Sequence, residues 1–412
     1  MRLIFTITIF LSFFYSYSQG ITPITKQEFD DANFQKISLL SDQLKNVKLI
    51  GLGEPSHFMG ETYTAKVKFI KYLHENCGFD VLVFESPMYN LSKICPSIES
   101  ENCTKENLFN NMFNIYYWKE LDELFDYVVE TRKTKNPLLI TGFDQSVFSD
   151  DKNTFISDYC EFVKDLNAKT NTNIETDSVF MKILNLNIKN YFSTNKMAPQ
   201  DTLILHDKFL KIKNTLKKIN TSEDNNYFLF WGLITDNMQS LYRTNYTKEN
   251  TRDLQMAKNV SFLANQMYKD KKIISWAATL HLHDKPELVV HKKNNLYNDV
   301  FMGQFLKNEF QQKYYTVAFT PFSGTTGFKG YLGLGKKKIK SGDGSLEKYI
   351  NETYHCDYAY IPMRNSNNQK IITDNKLTKS NIIGSTPYEM DLTKVVDAYF
   401  YIKTENLLQK RN

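Results

Sequence analysis

Short apolar runs alternate along the chain with longer amphipathic stretches. The apolar runs cover residues 47–52, 80–84, 137–143, 272–278 and 314–320. The run "DVLVF" at 80–84 is apolar throughout after its first residue, which is typical of a strand buried on both faces. Because amphipathic stretches separate the runs, the pattern predicts an α/β fold with a mostly parallel central sheet flanked by helices.

The amphipathic stretches predict where the helices lie. Residues 61–76 and 118–131 carry apolar positions at helical spacing, and residues 150–260 predict a mostly helical insert. Two later apolar runs, at 356–362 and 395–402, predict further strands. We therefore expect residues 19–412 to form a single domain, with a helical subdomain at about 150–260 that covers a cleft at the carboxyl ends of the strands.

The first eighteen residues predict a secretory signal peptide. A short basic start at Arg2 is followed by an apolar run to residue 14 and by small residues at Ser16 and Ser18. We expect cleavage between Ser18 and Gln19 and therefore an exported protein, periplasmic or secreted. The apolar run is too short to span a bilayer, and no later run is long enough, so we expect no membrane anchor.

Net charge and cysteine content narrow the class of protein. The formal net charge of +5 is spread along the chain and does not indicate a nucleic-acid partner. The five cysteines include no CxxC pair, which argues against a zinc ribbon. Cys95 and Cys103 bracket a short polar loop, and in an oxidising compartment a disulfide or two free thiols are equally expected there.

Ionisable residues stand at the ends of four of the predicted strands. They are Glu54 and His57 after the first strand, Glu85 after the second, Asp144 after the third and His281 after the fourth. Because ligands bind beyond the carboxyl ends of parallel strands, neighbouring strands would bring these side chains together. Such a cluster favours hydrolysis by an activated water, with a histidine as the base and a carboxylate that orients it.

Structural roles and other chemistries stay open for these residues. Asp144 could simply cap the next helix. The set Glu54, His57, Glu85 and His281 could alternatively hold a metal, although the chain has no HExxH motif. A serine nucleophile is weakly indicated, since no GxSxG motif is present. The other histidines are expected at the surface: His74, His206, His283, His291 and His355.

An ordered series of motifs resembles the erythromycin esterase family. The series consists of "LGEPSH" at 52–57, "GFDVLVFE" at 78–85, "GFD" at 142–144, "RDLQMAKNV" at 252–260, "WAATLH" at 276–281, "MGQFL" at 302–306 and "YYTVAFTPFSGT" at 314–325. The resemblance covers about residues 47–325 and includes the last predicted strand. It implies an α/β hydrolase with a helical portion over the cleft, which opens a macrolactone ester with water and needs no essential metal and no cofactor.

The resemblance also implies roles for individual residues. His57 would be the general base that activates water, and Glu54 and Glu85 would position the histidine, the water or both. His281 would bind the substrate carbonyl or stabilise the developing oxyanion. The expected partner is a small-molecule ester such as a macrolide, with no nucleic acid and no obligate protein partner.

Two positions depart from the family pattern. Ala278 stands where the family has a histidine, and Lys66 stands where it has an arginine. Lysine keeps the positive charge but loses the planar, two-pronged donor geometry. We expect Lys66 to be a supporting cation among the substrate-binding groups, with Asp144 behind it. Since losing one polar group from a site costs about 10²–10³-fold in rate, a weak esterase, an esterase for another ester and a non-catalytic binding protein all remain open.

Overall fold

The computed structural model describes nine stretches of the chain: residues 20–31, 34–95, 100–148, 152–190, 197–219, 225–247, 251–290, 300–327 and 336–411. The predicted signal peptide at 1–18 and His291 lie outside these stretches. Within them, no helix is both long and apolar enough to cross a membrane.

The strands confirm the predicted fold class. In the described stretches they are β1 Thr22–Ile24, β2 Leu49–Glu54, β3 Phe79–Pro87, β4 Leu139–Asp144, β5 Lys272–Ala278, β6 Val289–Val290, β7 Tyr314–Thr326, β8 Lys337–Lys338, β9 Tyr358–Pro362, β10 Lys379–Ser380, β11 Tyr388–Met390 and β12 Ala398–Glu405. The main sheet has the order β1-β9-β12-β7-β2-β5-β3-β4, with β8 paired to β7. The strands from β12 to β4 in this order are parallel neighbours, and β9 and β1 add antiparallel pairing at one edge.

The α-helices of the described stretches lie between these strands. They are α1 Lys26–Asp30, α2 Leu39–Gln43, α3 Gly60–Cys77, α4 Met88–Ile94, α5 Lys105–Asn110, α6 Asp122–Thr131, α7 Lys152–Thr170, α8 Ser178–Lys189, α9 Pro199–Leu216, α10 Asn225–Thr247, α11 Thr251–Phe262, α12 Thr279–Leu282, α13 Met302–Phe310, α14 Leu346–Tyr354 and α15 Asn368–Asp374. Strands β10, β11 and β6 form a separate small sheet.

The alternation of side chains along β3 explains the two layers of the core. Leu82 and Phe84 belong to the apolar cluster that contains the buried side of α3. Val81 and Val83 belong to the cluster on the other side, which contains the buried residues of α11 and α13. Since successive residues of a strand point to opposite faces, a continuous apolar run is what a sheet covered by helices on both faces requires.

Helices α7–α10 share an apolar core of their own. Phe162 and Trp231 stack at its centre with ring centroids 5.3 Å apart. The same cluster includes Tyr89 and Val147, which follow β3 and β4 in the chain. The four helices therefore lie on the side of the sheet where these strands end, whereas α11 packs against the sheet itself. The division into one domain with a helical subdomain stays a prediction.

Both ends of helix α3 are fixed by specific residues. Glu405, at the end of β12, accepts hydrogen bonds from the backbone N–H groups of Glu61 (2.7 Å) and Thr62 (3.2 Å) in its first turn. A carboxylate there satisfies N–H groups that lack partners within the helix and suits the helix dipole. Gly78 ends α3 in the left-handed conformation, with φ = +69°, which a glycine adopts without steric cost.

The loop bracketed by Cys95 and Cys103 is closed by a disulfide between these two residues. Of the two outcomes that the sequence left open, the crosslinked loop is therefore the one observed. Cys77, Cys160 and Cys356 are free thiols.

Candidate active site

Strands β2, β5, β3 and β4 are direct neighbours in the main sheet. Their carboxyl ends therefore lie side by side, as expected from the sequence. Gly53 makes a close approach possible here, since a Cβ atom on it would lie 2.6 Å from Thr279 Oγ1 and 2.9 Å from Thr279 Cα. A glycine at this position lets the chain after β5 turn directly across the end of β2.

The first group of site residues consists of Glu54, His57 and Lys66. Glu54 Oε1 lies 3.1 Å from His57 Nδ1, and Glu54 Oε2 accepts a hydrogen bond from Lys66 Nζ. Glu54 and Lys66 are completely buried, whereas 29% of the His57 side chain is exposed. Glu54 thus connects a buried cation to a histidine that water and a substrate can reach.

Lys66 sits behind Glu54 rather than at an exposed surface. Its Nζ lies 4.2 Å from the centre of the Trp276 ring and 3.4 Å from the Ala277 carbonyl oxygen. Burial lowers the pKa of Lys66 to about 8, although the charge of Glu54 opposes this shift. These contacts favour a role as the buried counter-ion of Glu54, and the expected contact of Lys66 with a substrate stays a prediction.

The second group is built on Glu85 and Asp144. Arg252 Nη2 lies 2.8 Å from Glu85 Oε1 and 2.7 Å from Asp144 Oδ2, and Arg252 Nε donates to the same Asp144 oxygen at 2.8 Å. Both carboxylates are buried. Burial acts to raise the pKa of Glu85, but the charges of His281, Arg252 and His57 outweigh it and hold this pKa below its ordinary value.

Glu85 does not stand after its strand, as the sequence suggested, but within it. Strand β3 continues to Pro87, and its pairing with β4 shifts between Phe84 and Pro87. Such an irregularity re-aims the side chains of a strand locally. Glu85 Oε2 also accepts the backbone N–H of Ala278 at 3.3 Å. The last two residues of β5 therefore link the two groups, through Ala277 to Lys66 and through Ala278 to Glu85.

His281 lies on the short helix α12, between two carboxylates. Its Nδ1 is 2.7 Å from Asp253 Oδ1, and its Nε2 is 3.4 Å from Glu85 Oε1. Burial acts to lower the pKa of His281, but Asp253 and Glu85 outweigh it, so this pKa is raised. The ring is nearly enclosed, with 13% of the side chain exposed.

Arg252 and Asp253 were not among the predicted site residues. Both belong to the first turn of α11, far along the chain from the strand ends that they contact. The sequence did contain a signal for these two residues, the "RD" that opens "RDLQMAKNV". Two adjacent, oppositely charged side chains begin a partly apolar helix there, and each charge needs a partner if it is buried.

His283 and His74 are buried, so their expected place at the surface is wrong. His283 is completely buried beside the Phe301 ring, with centroids 5.2 Å apart. Neither of its ring nitrogens has a hydrogen-bond partner among the described residues. His74 Nδ1 contacts the Tyr127 hydroxyl at 2.6 Å. Burial, followed by the charge of His281, lowers the pKa of His283 to about 4.

The lowered pKa of His283 predicts a loss of stability in acid. The folded protein binds this proton less readily than the unfolded chain, whose histidine has a pKa of 6.5. The stabilisation is therefore complete above pH 6.5 and is lost as the pH falls towards 4, by about 3 kcal/mol. Denaturant unfolding of His283→Phe should show a shallower fall in unfolding free energy over this range. The exposed His355 provides the control His355→Asn, which should keep the wild-type slope; equal slopes for all three proteins would contradict the prediction.

The carboxylates of the site are committed to cationic partners. In the described stretches, no group of three or more histidine, cysteine, aspartate or glutamate residues has an arrangement that could hold a metal ion. Glu54 faces Lys66 and His57, and Glu85 faces Arg252 and His281. A metal bound by these oxygens would have to displace Lys66 or Arg252, which already contact them.

Sequence comparison identifies a matching protein family and a relative in Bacillus subtilis. The sequence model of the erythromycin esterase family matches residues 74–405, a range that begins after Glu54, His57 and Lys66. A putative hydrolase, YbfO, from Bacillus subtilis is 26% identical over 324 residues, which are 72% of this chain and 70% of that protein.

Structure comparison identifies proteins of the same fold. A crystal structure of a Bacillus cereus protein has a TM-score of 0.71 and covers 95% of this chain and 97% of that one. A crystal structure described as a succinoglycan biosynthesis protein has a TM-score of 0.70, with 96% and 97% covered. A mutant of the erythromycin esterase EreC in its open conformation has a TM-score of 0.67, with 93% and 98% covered. At 16% identity, each of the three shares the fold.

The family assignment follows from the share of the chain that is matched. Residues 74–405 contain Glu85, Asp144, Arg252, Asp253 and His281, and strand β2, which ends at Glu54, lies in the same sheet as β3, β4 and β5. Erythromycin esterases are hydrolases, and YbfO is described as a putative hydrolase. The protein therefore belongs to the erythromycin esterase family.

Proposed function

We propose that the protein is an exported esterase in which His57 activates a water molecule to open an ester, without a metal. The observation that carries the proposal is the exposed His57 held by the buried Glu54, 3.1 Å away. A partly exposed imidazole oriented by a buried carboxylate is the arrangement that general-base catalysis needs. A macrolactone is the first ester to test, since the family takes its name from one.

The proposed reaction begins with a proton transfer to His57. Its Nδ1–H donates to Glu54, so Nε2 carries the lone pair that takes a proton from water. The resulting hydroxide attacks the ester carbonyl carbon and gives a tetrahedral intermediate with a negative oxygen. His57 then returns the proton to the alcohol oxygen as the carbon–oxygen bond breaks, which leaves a carboxylic acid and an alcohol. In a lactone, both groups stay on one molecule.

The buried charges around His57 support this assignment of roles. Lys66 is the buried ion-pair partner of Glu54, and the Glu54 carboxylate stabilises the imidazolium that forms when His57 takes the proton. On the other side of the β5 end, His281 offers its Nε2 side to the negative oxygen of the intermediate. Glu85 and Asp144 share Arg252 as an ion-pair partner, so they are assigned to positioning rather than to proton transfer.

The second candidate function is binding of an ester or another small molecule without turnover. Ala278 favours it, because this position has a methyl group where the family pattern has a histidine. Here the contact with Glu85 comes from the Ala278 backbone N–H, which can donate a hydrogen bond but cannot exchange a proton during catalysis.

The test is mass spectrometry of esters incubated with the purified protein that starts at Gln19. Erythromycin, a simple aryl ester and an unsubstituted macrolactone should be incubated with and without a chelator. Addition of one water to any of them, unaffected by the chelator, is the expected result. Loss of turnover with the chelator would contradict the metal-independent mechanism, and tight binding with no product from any ester would favour the binding protein.

Export is a separate part of the proposal. It is supported by the composition of residues 1–18 and by the disulfide between Cys95 and Cys103, since disulfides persist mainly in oxidising compartments. The intact mass of protein recovered outside the cytoplasm should correspond to a chain that begins at Gln19. A mass that includes residues 1–18 would contradict cleavage.

A further inference from the structure

Arg252 and Asp253 lie in the same turn of α11, and their oppositely charged side chains contact different residues of the site. Successive residues of an α-helix point about 100° apart, so Arg252 reaches Glu85 and Asp144 while Asp253 reaches His281. Asp253 is 2% exposed, and its Oδ1 also accepts the backbone N–H of Met302 at 3.0 Å. The carboxylate is therefore held from two sides, and its position relative to the imidazole is fixed.

The contact with Asp253 determines which nitrogen of His281 carries a hydrogen. An ionised carboxylate only accepts hydrogen bonds, so Nδ1 must be protonated at a distance of 2.7 Å from Asp253 Oδ1. The state of Nε2 then decides the charge of the ring. A neutral ring would accept a hydrogen bond from Arg252 Nη1, 3.3 Å away, whereas a charged ring would donate to Glu85 Oε1, 3.4 Å away.

The charges that face His281 favour the protonated ring. Helix α11 contributes Asp253 and Arg252, and strand β3 contributes Glu85. His283, two residues after His281 in the chain, is neutral above its own lowered pKa. Arg252 is also paired with Asp144, so three carboxylates and one guanidinium leave an excess of negative charge around the ring. A charged partner within hydrogen-bond distance raises the pKa of a histidine even when burial opposes it.

We infer that Asp253 is a positioning residue that keeps His281 as an imidazolium, so that Nε2–H is a charged hydrogen-bond donor for the negative oxygen of the reaction. The inference rests on the proposed function and deepens it by giving His281 a fixed protonation state. His57 must be neutral to take a proton, while His281 must be charged to donate a hydrogen bond. The alkaline limit of activity then belongs to His281.

The test compares the pH dependence of kcat in the wild type and in Asp253→Asn. Asparagine has nearly the same shape and can still accept hydrogen bonds from His281 and Met302, but it removes the charge. We expect the alkaline limit to move down by at least about one pH unit, which is a loss of about tenfold at pH values above it, while the acid limit stays in place. A uniform loss of kcat without a shift of the alkaline limit would overturn the inference.

A measurement without turnover separates this inference from the proposed function. The ¹⁵N shifts of His281, assigned with a His281→Gln variant, should show both nitrogens protonated at pH 7 in the wild type and a lower pKa in Asp253→Asn. A neutral His281 at pH 7 would overturn the inference even if esters are hydrolysed. Conversely, a charged His281 in a protein that hydrolyses no ester would contradict only the proposed function.

The matched control is Glu309→Gln. Glu309 is exposed on α13 and contacts Ser261 and Asn265 near the far end of α11. The substitution Glu309→Gln removes one negative charge close to α11 and leaves the contacts of His281 unchanged. Both pH limits and the ¹⁵N chemical shifts of His281 should stay at their wild-type values. If the alkaline limit moved as far in Glu309→Gln as in Asp253→Asn, the effect would belong to overall charge instead of to Asp253.

Discussion

Replacing His57 by alanine should lower kcat/KM about 10³-fold for any ester that the protein hydrolyses. The variant loses the only site histidine with a substantially exposed side chain among the described residues, and water is too weak a nucleophile without a base. The fold should survive, because Glu54 keeps its buried partner Lys66. Initial rates on the substrate found by mass spectrometry, together with thermal unfolding of the variant, would measure both effects.

Ser56→Ala is the matched control for the His57 variant. Ser56 is the neighbouring residue, and its hydroxyl donates to the His57 carbonyl oxygen at 3.2 Å. We expect its rate to stay within a few-fold of the wild type, since no serine nucleophile takes part in the proposed reaction. Full activity of His57→Ala would contradict the mechanism, and a large loss in Ser56→Ala would indicate a serine nucleophile instead.

The largest loss of stability is expected for Arg252→Met. Methionine leaves Glu85 and Asp144 buried without the guanidinium that contacts both of them. Breaking a buried ion pair by removing one partner costs about 3–5 kcal/mol, because the remaining charge is left uncompensated. Chemical denaturation at pH 7 should show this loss in the free energy of unfolding, together with a fall in kcat.

The pH dependence of this loss identifies its cause. In the wild type, the pKa of Glu85 lies below its ordinary value of 4.5, so its stabilisation is present above pH 4.5 and is lost as the pH falls. Without Arg252, one of the charges that oppose burial is lost, so the pKa of Glu85 should rise and less of this stabilisation should remain above pH 4.5. The difference between the two proteins should therefore be widest at neutral pH and narrow in acid.

Lys258→Met is the control for the Arg252 variant. Lys258 is exposed on the same helix, and its replacement removes one positive charge and introduces the same side chain. Surface substitutions of this kind usually change stability by less than about 0.5 kcal/mol. If Arg252→Met lowered the free energy of unfolding no more than Lys258→Met does, the stabilising role of the Arg252 contacts with Glu85 and Asp144 would be contradicted.

The sequence was sufficient to predict the parallel sheet and the edge on which the site is built. The apolar runs and the ionisable residues that follow them, such as Glu54 and Asp144, are local patterns that can be recognised in the sequence. The strands β2, β5, β3 and β4 are neighbours in the sheet, so their carboxyl ends lie together. The antiparallel edge at β9 and β1 was not predicted. Pairing direction there depends on how the last part of the chain returns to the sheet, and no local pattern encodes it.

The residues that were missed depend on contacts between distant parts of the chain. Arg252 and Asp253 reach the site only because α11 packs against the sheet after a long helical stretch. His283 is buried because α12 and α13 meet, which its polar neighbours in the sequence do not reveal. Lys66 was expected at a substrate-contacting position, and its complete burial follows from the packing of α3 against Trp276.

The separate core of α7–α10 has a consequence for how this protein could change over time. Helices α7–α9 pack on one another, on α10 and on the core shared with Tyr89 and Val147. Helix α10 also packs against α11, where Ser240 donates to the Thr251 carbonyl oxygen. The charged groups of the site lie in the sheet, α3, α11 and α12, and His57 lies in the loop between β2 and α3. Substitutions on the core faces of α7–α9 could therefore accumulate without disturbing the acid–base groups. Such a division lets ligand preference drift while chemistry is retained, and it marks these helices as the part to randomise in directed evolution.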